Sequence, residues 1–312
     1  MAALTPTFTP SKKEEEEEEE EEATREWAEL PRDALLSVLH KLDQVDVLMG
    51  AGQVCRPWRA AARDEPELWR SVEVRPSQNV EVTSRALLCG LARAAVRRAA
   101  GQCEAFSGEG AVDDSVLSLL ADAAPALKRL RIIYGVDDLV VDERLRLTIT
   151  RFTLLEELEL AVFTGAYPET CEAIGRACPL LKRLRLNRIH FFKWRTHDID
   201  LEAAAIAATM RGLRSLQLFA SPLTDRDLTA ILDACAHLES LDIRQCFNVA
   251  MGADAIRARS PGIQTLRLPE DSTDDYIRRT TRGTTSTGTS SSTSVRTVAR
   301  SRTYSSSFYC EF

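Results

Sequence analysis

No stretch of this 312-residue chain approaches the ~18 consecutive apolar residues of a membrane-spanning helix, which argues against a helical membrane protein. The phosphate-cradling patterns G-x-x-x-x-G-K-[ST] and G-x-G-x-x-G are absent, as are H-E-x-x-H and G-x-S-x-G. Nucleotide-driven, zinc-peptidase and α/β-hydrolase chemistry therefore have no foothold. His40, His190, His197 and His237 show no ligand spacing. The eight cysteines (Cys55, Cys89, Cys103, Cys171, Cys178, Cys235, Cys246 and Cys310) form no C-x-x-C and no zinc pattern. Most lie in apolar periodic segments, where a reduced thiol is a small buried hydrophobe. There is no Asn-x-Ser/Thr acceptor, and the opening Met-Ala-Ala-Leu-Thr-Pro followed by lysines and glutamates is not expected to act as a signal peptide. The expectation is a non-enzymatic cytoplasmic and/or nuclear protein with no metal and no cofactor.

What is present is ordinary in bulk and uneven in distribution. Apolar residues make up 44% and charged residues 28%, as in soluble globular proteins. The net charge is −7, but Glu14 to Glu22 are nine consecutive glutamates, so without them the chain carries +2. That run reads as a solvated tail, and residues 1–26 as a whole are too polar to offset the entropy of ordering. Residues 276–312, dominated by Ser, Thr and Arg, read the same way.

Residues 27–72 carry the densest signal. Pro31 suits the opening turn of a helix, with Asp33 adding favourable negative charge there. Leu35, Val38, Leu39 and Leu42 recur at helical spacing. Asp43 can cap a second helix bearing Val47, Leu48 and Ala51, and Pro57 opens a third bearing Trp58 and Ala61. Three short helices in about 40 residues cannot build a sufficient core alone and should seek a partner. The order Leu30-Pro31, Leu35, Val38-Leu39, Leu42, Asp46, Leu48, Val54-Cys55, Trp58-Arg59, Leu68-Trp69 resembles the F-box. That resemblance implies docking on a Skp-type adaptor and, through it, on cullin and RING subunits. It would make Leu30, Pro31, Leu35, Leu39, Leu42, Val54, Cys55 and Trp58 the docking residues.

From residue 127 onward a repeat sets the architecture. L-x-x-L-x-L occurs at Leu127-Leu130-Ile132, Leu155-Leu158-Leu160, Leu181-Leu184-Leu186, Leu213-Leu216-Leu218, Leu238-Leu241-Ile243 and Ile263-Leu266-Leu268. Successive starts lie 28, 26, 32, 25 and 25 residues apart, in or near the leucine-rich-repeat window. A degenerate copy begins at Cys103 and Phe106. One strand and one helix per repeat cannot bury their own apolar face, so neighbours must stack. The expectation is an α/β chain: a three-helix F-box, a linker region with a helix over 73–100, and a right-handed solenoid of about six or seven units over 101–275. Arg93, Arg97 and Arg98 fall near one face of the linker helix. They read as a solvated face, with nucleic-acid contact the less favoured alternative. From the F-box to about residue 275 the chain resembles plant F-box proteins with leucine-rich repeats, the substrate receptors of Skp–cullin–F-box ubiquitin ligases. The alternative class is a leucine-rich scaffold acting outside a ligase.

Between the inward leucines, alternate residues face the concave side. Arg129, Arg131, Arg183, Arg185, Gln217, Phe219, Arg244 and Arg267 are the expected contacts to a protein substrate. An acidic or phosphorylated stretch would suit them. Cross-strand ion pairing with Glu157 and Glu159 is the competing reading. The long interval holds a basic loop with Phe191, Phe192 and Trp194, whose aromatics are expected to pack over the core edge.

Overall fold

The computed structural model describes residues 27–76, 84–133, 142–163, 168–188 and 197–275. The two tails and the aromatic loop named above lie outside the described residues. Helix α1 (Arg32–Leu39) starts after Pro31, whose extended ψ of 141° turns the chain into the helix, and it buries Leu35 and Leu39. Helix α2 runs in three joined pieces, Gln44–Asp46, a π-helical turn Val47–Ala51, and Gly52–Val54. Asp43 precedes it without a side-chain cap. Its carboxylate instead accepts from Arg75 at 3.1 Å. Helix α3 (Arg56–Asp64) carries Pro57 in its first turn and turns Trp58, Ala61 and Ala62 inward. A 3₁₀ turn, Pro66–Trp69, leads out.

Among the described residues the rest is built on one eight-stranded sheet, every pairing parallel and every strand beside its sequence neighbour. In order come β1 (Ser71–Val74), α4 (Arg85–Arg98), β2 (Ala105–Glu109), α5 (Asp114–Ala123), β3 (Arg129–Ile133) and α6 (Asp142–Ile149). They are followed by β4 (Glu157–Phe163), α7 (Pro168–Ala177), β5 (Arg183–Arg188) and α8 (His197–Thr209). The last are β6 (Ser215–Phe219), α9 (Asp225–Ala234), β7 (Ser240–Asp242), α10 (Ala253–Arg259) and β8 (Thr265–Arg267). Register stacks Val72, Phe106, Leu130, Leu158, Leu184, Leu216, Leu241 and Leu266 in one row across the sheet. All but Leu266 are buried. Such a row is the packed spine of a solenoid, in which each unit covers the apolar edge of the one before.

Eight strands joined by seven helices make seven strand–helix units closed by a last strand, within the six or seven expected. One expectation changes here. The sheet begins at Ser71, so the described residues of 73–100 hold the end of β1 and the helix of a first strand–helix unit. The cause is composition. β1 alternates exposed Ser71 and Glu73 with buried Val72 and Val74, and two valines in four residues carry the packing that L-x-x-L-x-L carries elsewhere.

The F-box is welded to this sheet. Gln44 Nε2 donates to the Ser71 carbonyl at 3.0 Å, and Gln44 Oε1 accepts from the Glu73 N–H at 3.3 Å. One side-chain amide thus takes the place of a neighbouring strand and blunts an edge open to wrong pairing. Behind it Trp69 is 0% exposed, its indole N–H donating to the Ala62 carbonyl at 3.0 Å, with the Arg98 guanidinium 5.2 Å from its ring centre. Arg98, read from sequence as part of a solvated face, is therefore half of a cation–π contact between the F-box and the first repeat.

Helices α7 and α8 approach closely because Gly175 has no side chain. A Cβ there would lie 1.9 Å from Thr209 Oγ1 and 2.4 Å from Thr209 Cβ. The second atom is anchored to its own backbone, so the helices must separate. Gly175→Ala is expected to lower the unfolding free energy by about 1–3 kcal/mol in urea titration. Thr209→Gly in the same chain should recover part of that loss.

Candidate functional site

Two surfaces stand out, one on each part of the chain. On the F-box, the eight expected docking residues separate by depth. Leu35, Leu39 and Trp58 are core: Trp58 is 6% exposed, its ring meets Trp27 edge-on at 6.1 Å, and its N–H donates to the Trp27 carbonyl at 2.9 Å. Leu30, Leu42 and Cys55 are half-buried and Pro31 is exposed. Val54, at the end of α2, is 59% exposed, more than any other large hydrophobic among the described residues. The fold thus holds Leu35, Leu39 and Trp58 as internal support, while Pro31 and Val54 remain accessible with the edges of Leu30 and Leu42. Partly buried Leu36, Val38, Leu48 and Met49 pack against the same core.

The second surface is the open face of the sheet, a groove of about 530 Å³ lined from Ser71 on β1 across to Gln217 on β6. Its central strands alternate in charge. The outward residues of β3, with the residue before it, are Lys128, Arg129 and Arg131; those of β4 are Glu156, Glu157 and Glu159; those of β5 are Lys182, Arg183 and Arg185. Backbone pairing continues ahead of the strands, Glu156 N–H to Lys128 O and Lys182 N–H to Glu156 O, each at 2.8 Å, so these residues stay in register. Glu159 Oε2 lies 3.4 Å from Arg131 Nε and 3.2 Å from Arg185 Nη1. Glu157 takes Arg183 at 2.9 Å and Glu156 takes Lys182 at 2.8 Å. Hydrogen bonding to Lys182 holds the Glu156 carboxyl below its usual range. Among the described residues Arg129 has no ion-pair partner. Both readings of this face therefore meet: the pairing is real, and six cations of β3 and β5 face three acids of β4, with Glu104 ahead of β2 taking Lys128 at 3.2 Å.

Not every expected contact stays on the surface. Arg244 is only 4% exposed: its guanidinium grips both Asp242 oxygens, the Ser272 carbonyl at 2.8 Å and the Asp275 carboxylate. Phe219 lies beneath it, its ring 5.9 Å away and itself buried. Arg244 and Asp275 thus line the C-terminal end of the groove, with both Arg244 and Phe219 largely buried. Alternation assigns a residue to a face but not its depth. Position 219 pairs with buried Asn187, and at Ala220 the backbone turns left-handed with φ of 53°. Bonding to Asp242 pushes the Arg244 pKa up, and Arg244 in turn holds Asp275 below the carboxylate range. Gln217 donates to Asn187 Oδ1 at 2.7 Å, and Arg267 is exposed on β8.

Cysteines are buried within the repeat units. Cys246 donates to the Leu218 carbonyl at 2.8 Å, and burial pushes its thiol up to about 12. Burial likewise holds Cys103 and Cys178 at about 12 and Cys89 and Cys235 at about 11, so none of the five is a thiolate near neutrality.

A family model for the F-box matches residues 27–75, and one for the leucine-rich repeats of an FBD-associated F-box protein matches residues 153–281. F-box/LRR-repeat protein 22 of Arabidopsis thaliana is 38% identical over 258 residues, which cover 80% of this chain and 79% of that protein. The chain belongs to the F-box/leucine-rich-repeat proteins. F-box protein SKIP19 of the same plant is 34% identical over 254 residues, covering 80% and 79%. F-box/LRR-repeat protein 23 is 35% identical over 252 residues, a match that spans 80% of this chain but only 55% of the relative. In the F-box/leucine-rich-repeat framework, the weld at Gln44 and Trp69 fixes the docking module against the repeat sheet. No sequence pattern flagged either residue for that role, because each acts across a junction between two motifs.

Proposed function

We propose that this chain is the substrate-recognition subunit of an SCF-type ubiquitin ligase, with its F-box on a Skp-type adaptor and its repeat sheet holding a protein substrate. The observation that carries this is the union, in one chain, of an F-box with an accessible apolar edge and a leucine-rich sheet with an open, net-positive groove. The chain is an adaptor with no reaction of its own. Ubiquitin transfer belongs to the cullin–RING part of the assembly, and this chain supplies proximity between substrate lysine and the charged conjugating enzyme. The arginines of β3 and β5 select a substrate with an acidic or phosphorylated stretch.

Co-purification with a Skp-type adaptor and a cullin tests the first half. The native chain should retain both. Val54→Glu and the Leu30→Ala/Pro31→Ala double variant should each lose at least tenfold in adaptor affinity, about 1.4 kcal/mol, with circular dichroism unchanged. Val54 is the cleaner site because its side chain supports little of the F-box core. A native chain that retains no adaptor would replace this reading with that of a scaffold outside any ligase.

A further inference from the structure

We propose that the groove receives an α-helix laid across the strands, presenting an acid to β3, a base to β4 and an acid to β5. This rests on the reading of the groove as a receptor for an acidic segment and names that segment's form and charge pattern. The outward charges of the central strands are sorted by strand, and register sets them in two rows, Arg129–Glu157–Arg183 and Arg131–Glu159–Arg185. Uncharged Ala105 and Ser107 flank the rows on β2, and Ser215 and Gln217 flank them on β6. Lateral pairing already uses most of the charge, Glu157 holding Arg183 and Glu159 holding both Arg131 and Arg185. Neighbouring stripes of opposite sign cancel at a distance, so this face offers little long-range pull and is read by contact. A uniformly acidic partner loses over β4 part of what it gains over β3 and β5. A partner of complementary pattern gains at all three, and like charges set against the stripes exclude the wrong partner.

Spacing selects the helix. Strands lie about 4.8 Å apart, which puts the two cationic strands ~9.6 Å from each other with the acidic strand midway. On an α-helix rising ~1.5 Å per residue, positions i and i+7 lie about 10.5 Å apart on one face, with i+4 between them. The two spacings agree to about 1 Å. An extended segment crossing the strands presents a side chain to the sheet every ~6.7 Å, so its third falls about 13 Å from its first, beyond β5. The face is also wide enough, since Arg129 to Ile133 spans about 13 Å along β3 against a helix diameter of about 10–12 Å. An acid at i, a base at i+4 and an acid at i+7 stabilise a helix by their own side-chain pairing, so such a segment arrives partly ordered.

The test is fluorescence anisotropy with labelled alanine-based helical peptides on the native full chain. The patterned peptide carries Glu at i, Lys at i+4 and Glu at i+7. The inverted peptide carries Lys, Glu and Lys at those positions, and the acidic peptide carries Glu at all three. The patterned helix should bind about tenfold tighter than the inverted one and about threefold tighter than the acidic one. In the Glu157→Gln/Glu159→Gln chain the second order should reverse, the acidic helix binding the more tightly. Arg129→Gln breaks no ion pair among the described residues, and should weaken the patterned helix about threefold in a chain of unchanged circular dichroism. An acidic helix that matches or exceeds the patterned one on the native chain would overturn the proposal and leave the acidic-segment receptor standing. So would a patterned peptide broken by a central proline that binds as tightly as the intact helix, because helical form would then not matter. Equal binding of all three helices, or binding of none, would overturn both readings.

Discussion

Replacing Trp69 by alanine is expected to lower the unfolding free energy by about 3–5 kcal/mol, the range for large aromatics deleted from a packed core. Trp69 is fully buried, and its loss removes three things at once: the ring that fills the seam between F-box and first repeat, the hydrogen bond to Ala62 O, and the partner of the Arg98 guanidinium. Trp69→Phe keeps most of the ring and forfeits the indole donor, leaving the Ala62 carbonyl short of a partner at about 1–3 kcal/mol. Trp27→Ala is the contrast, since that ring is 56% exposed and should cost far less. Urea titrations of the three variants give the order Trp69→Ala, Trp69→Phe, Trp27→Ala. A Trp69→Ala chain within 1 kcal/mol of native would mean the seam contributes little. Adaptor affinity measured on the same variants separates the seam's contribution to stability from the docking edge at Val54.

That seam is where sequence reading is weakest, for a physical reason. The repeat spine was legible because one residue type recurs at one spacing: Leu130, Leu158, Leu184, Leu216 and Leu241 all sit in the same buried row. The F-box helices were legible because Pro31, Pro57 and the aliphatic period act within a few residues of themselves. Gln44 acts 27 residues away on Ser71, and Arg98 lies 29 positions from Trp69, so neither leaves a local pattern. The charge alternation of β3, β4 and β5 was half visible: Glu157 and Glu159 were flagged, but the parallel register that brings Glu156 beside Lys182 needs the fold. Phe219 and Arg244 lie deeper than alternation indicates, because period two assigns a face and not a depth.

Glu202→Ala is expected to cost about 3–5 kcal/mol, a loss of the same order from a single charge. Arg188 at the end of β5 places its Nη2 2.9 Å and 2.7 Å from the two Glu202 oxygens on α8, with the side chains 5% and 3% exposed. The pair lies within the 32-residue interval, the longest between repeat starts, and ties the end of β5 to α8. Removing the carboxylate leaves a guanidinium in a low-dielectric setting without its main counter-charge, and Arg188→Met leaves the converse. The double variant Arg188→Met/Glu202→Leu places two apolar side chains of similar volume there, and should return to within about 1–2 kcal/mol of native. The surface pair Lys182–Glu156 is the internal control: it lies one strand-length away, half-exposed, and Glu156→Gln should change stability by no more than about 1 kcal/mol. Urea titrations arranged as a double-mutant cycle decide the matter. Singles that cost no more than the surface pair would show that water reaches the site and that the long interval is held by packing alone. Large singles with a recovered double would show that the ion pair sets which residues meet where β5 packs on α8, a choice that two apolar side chains can reproduce in energy but not in polarity.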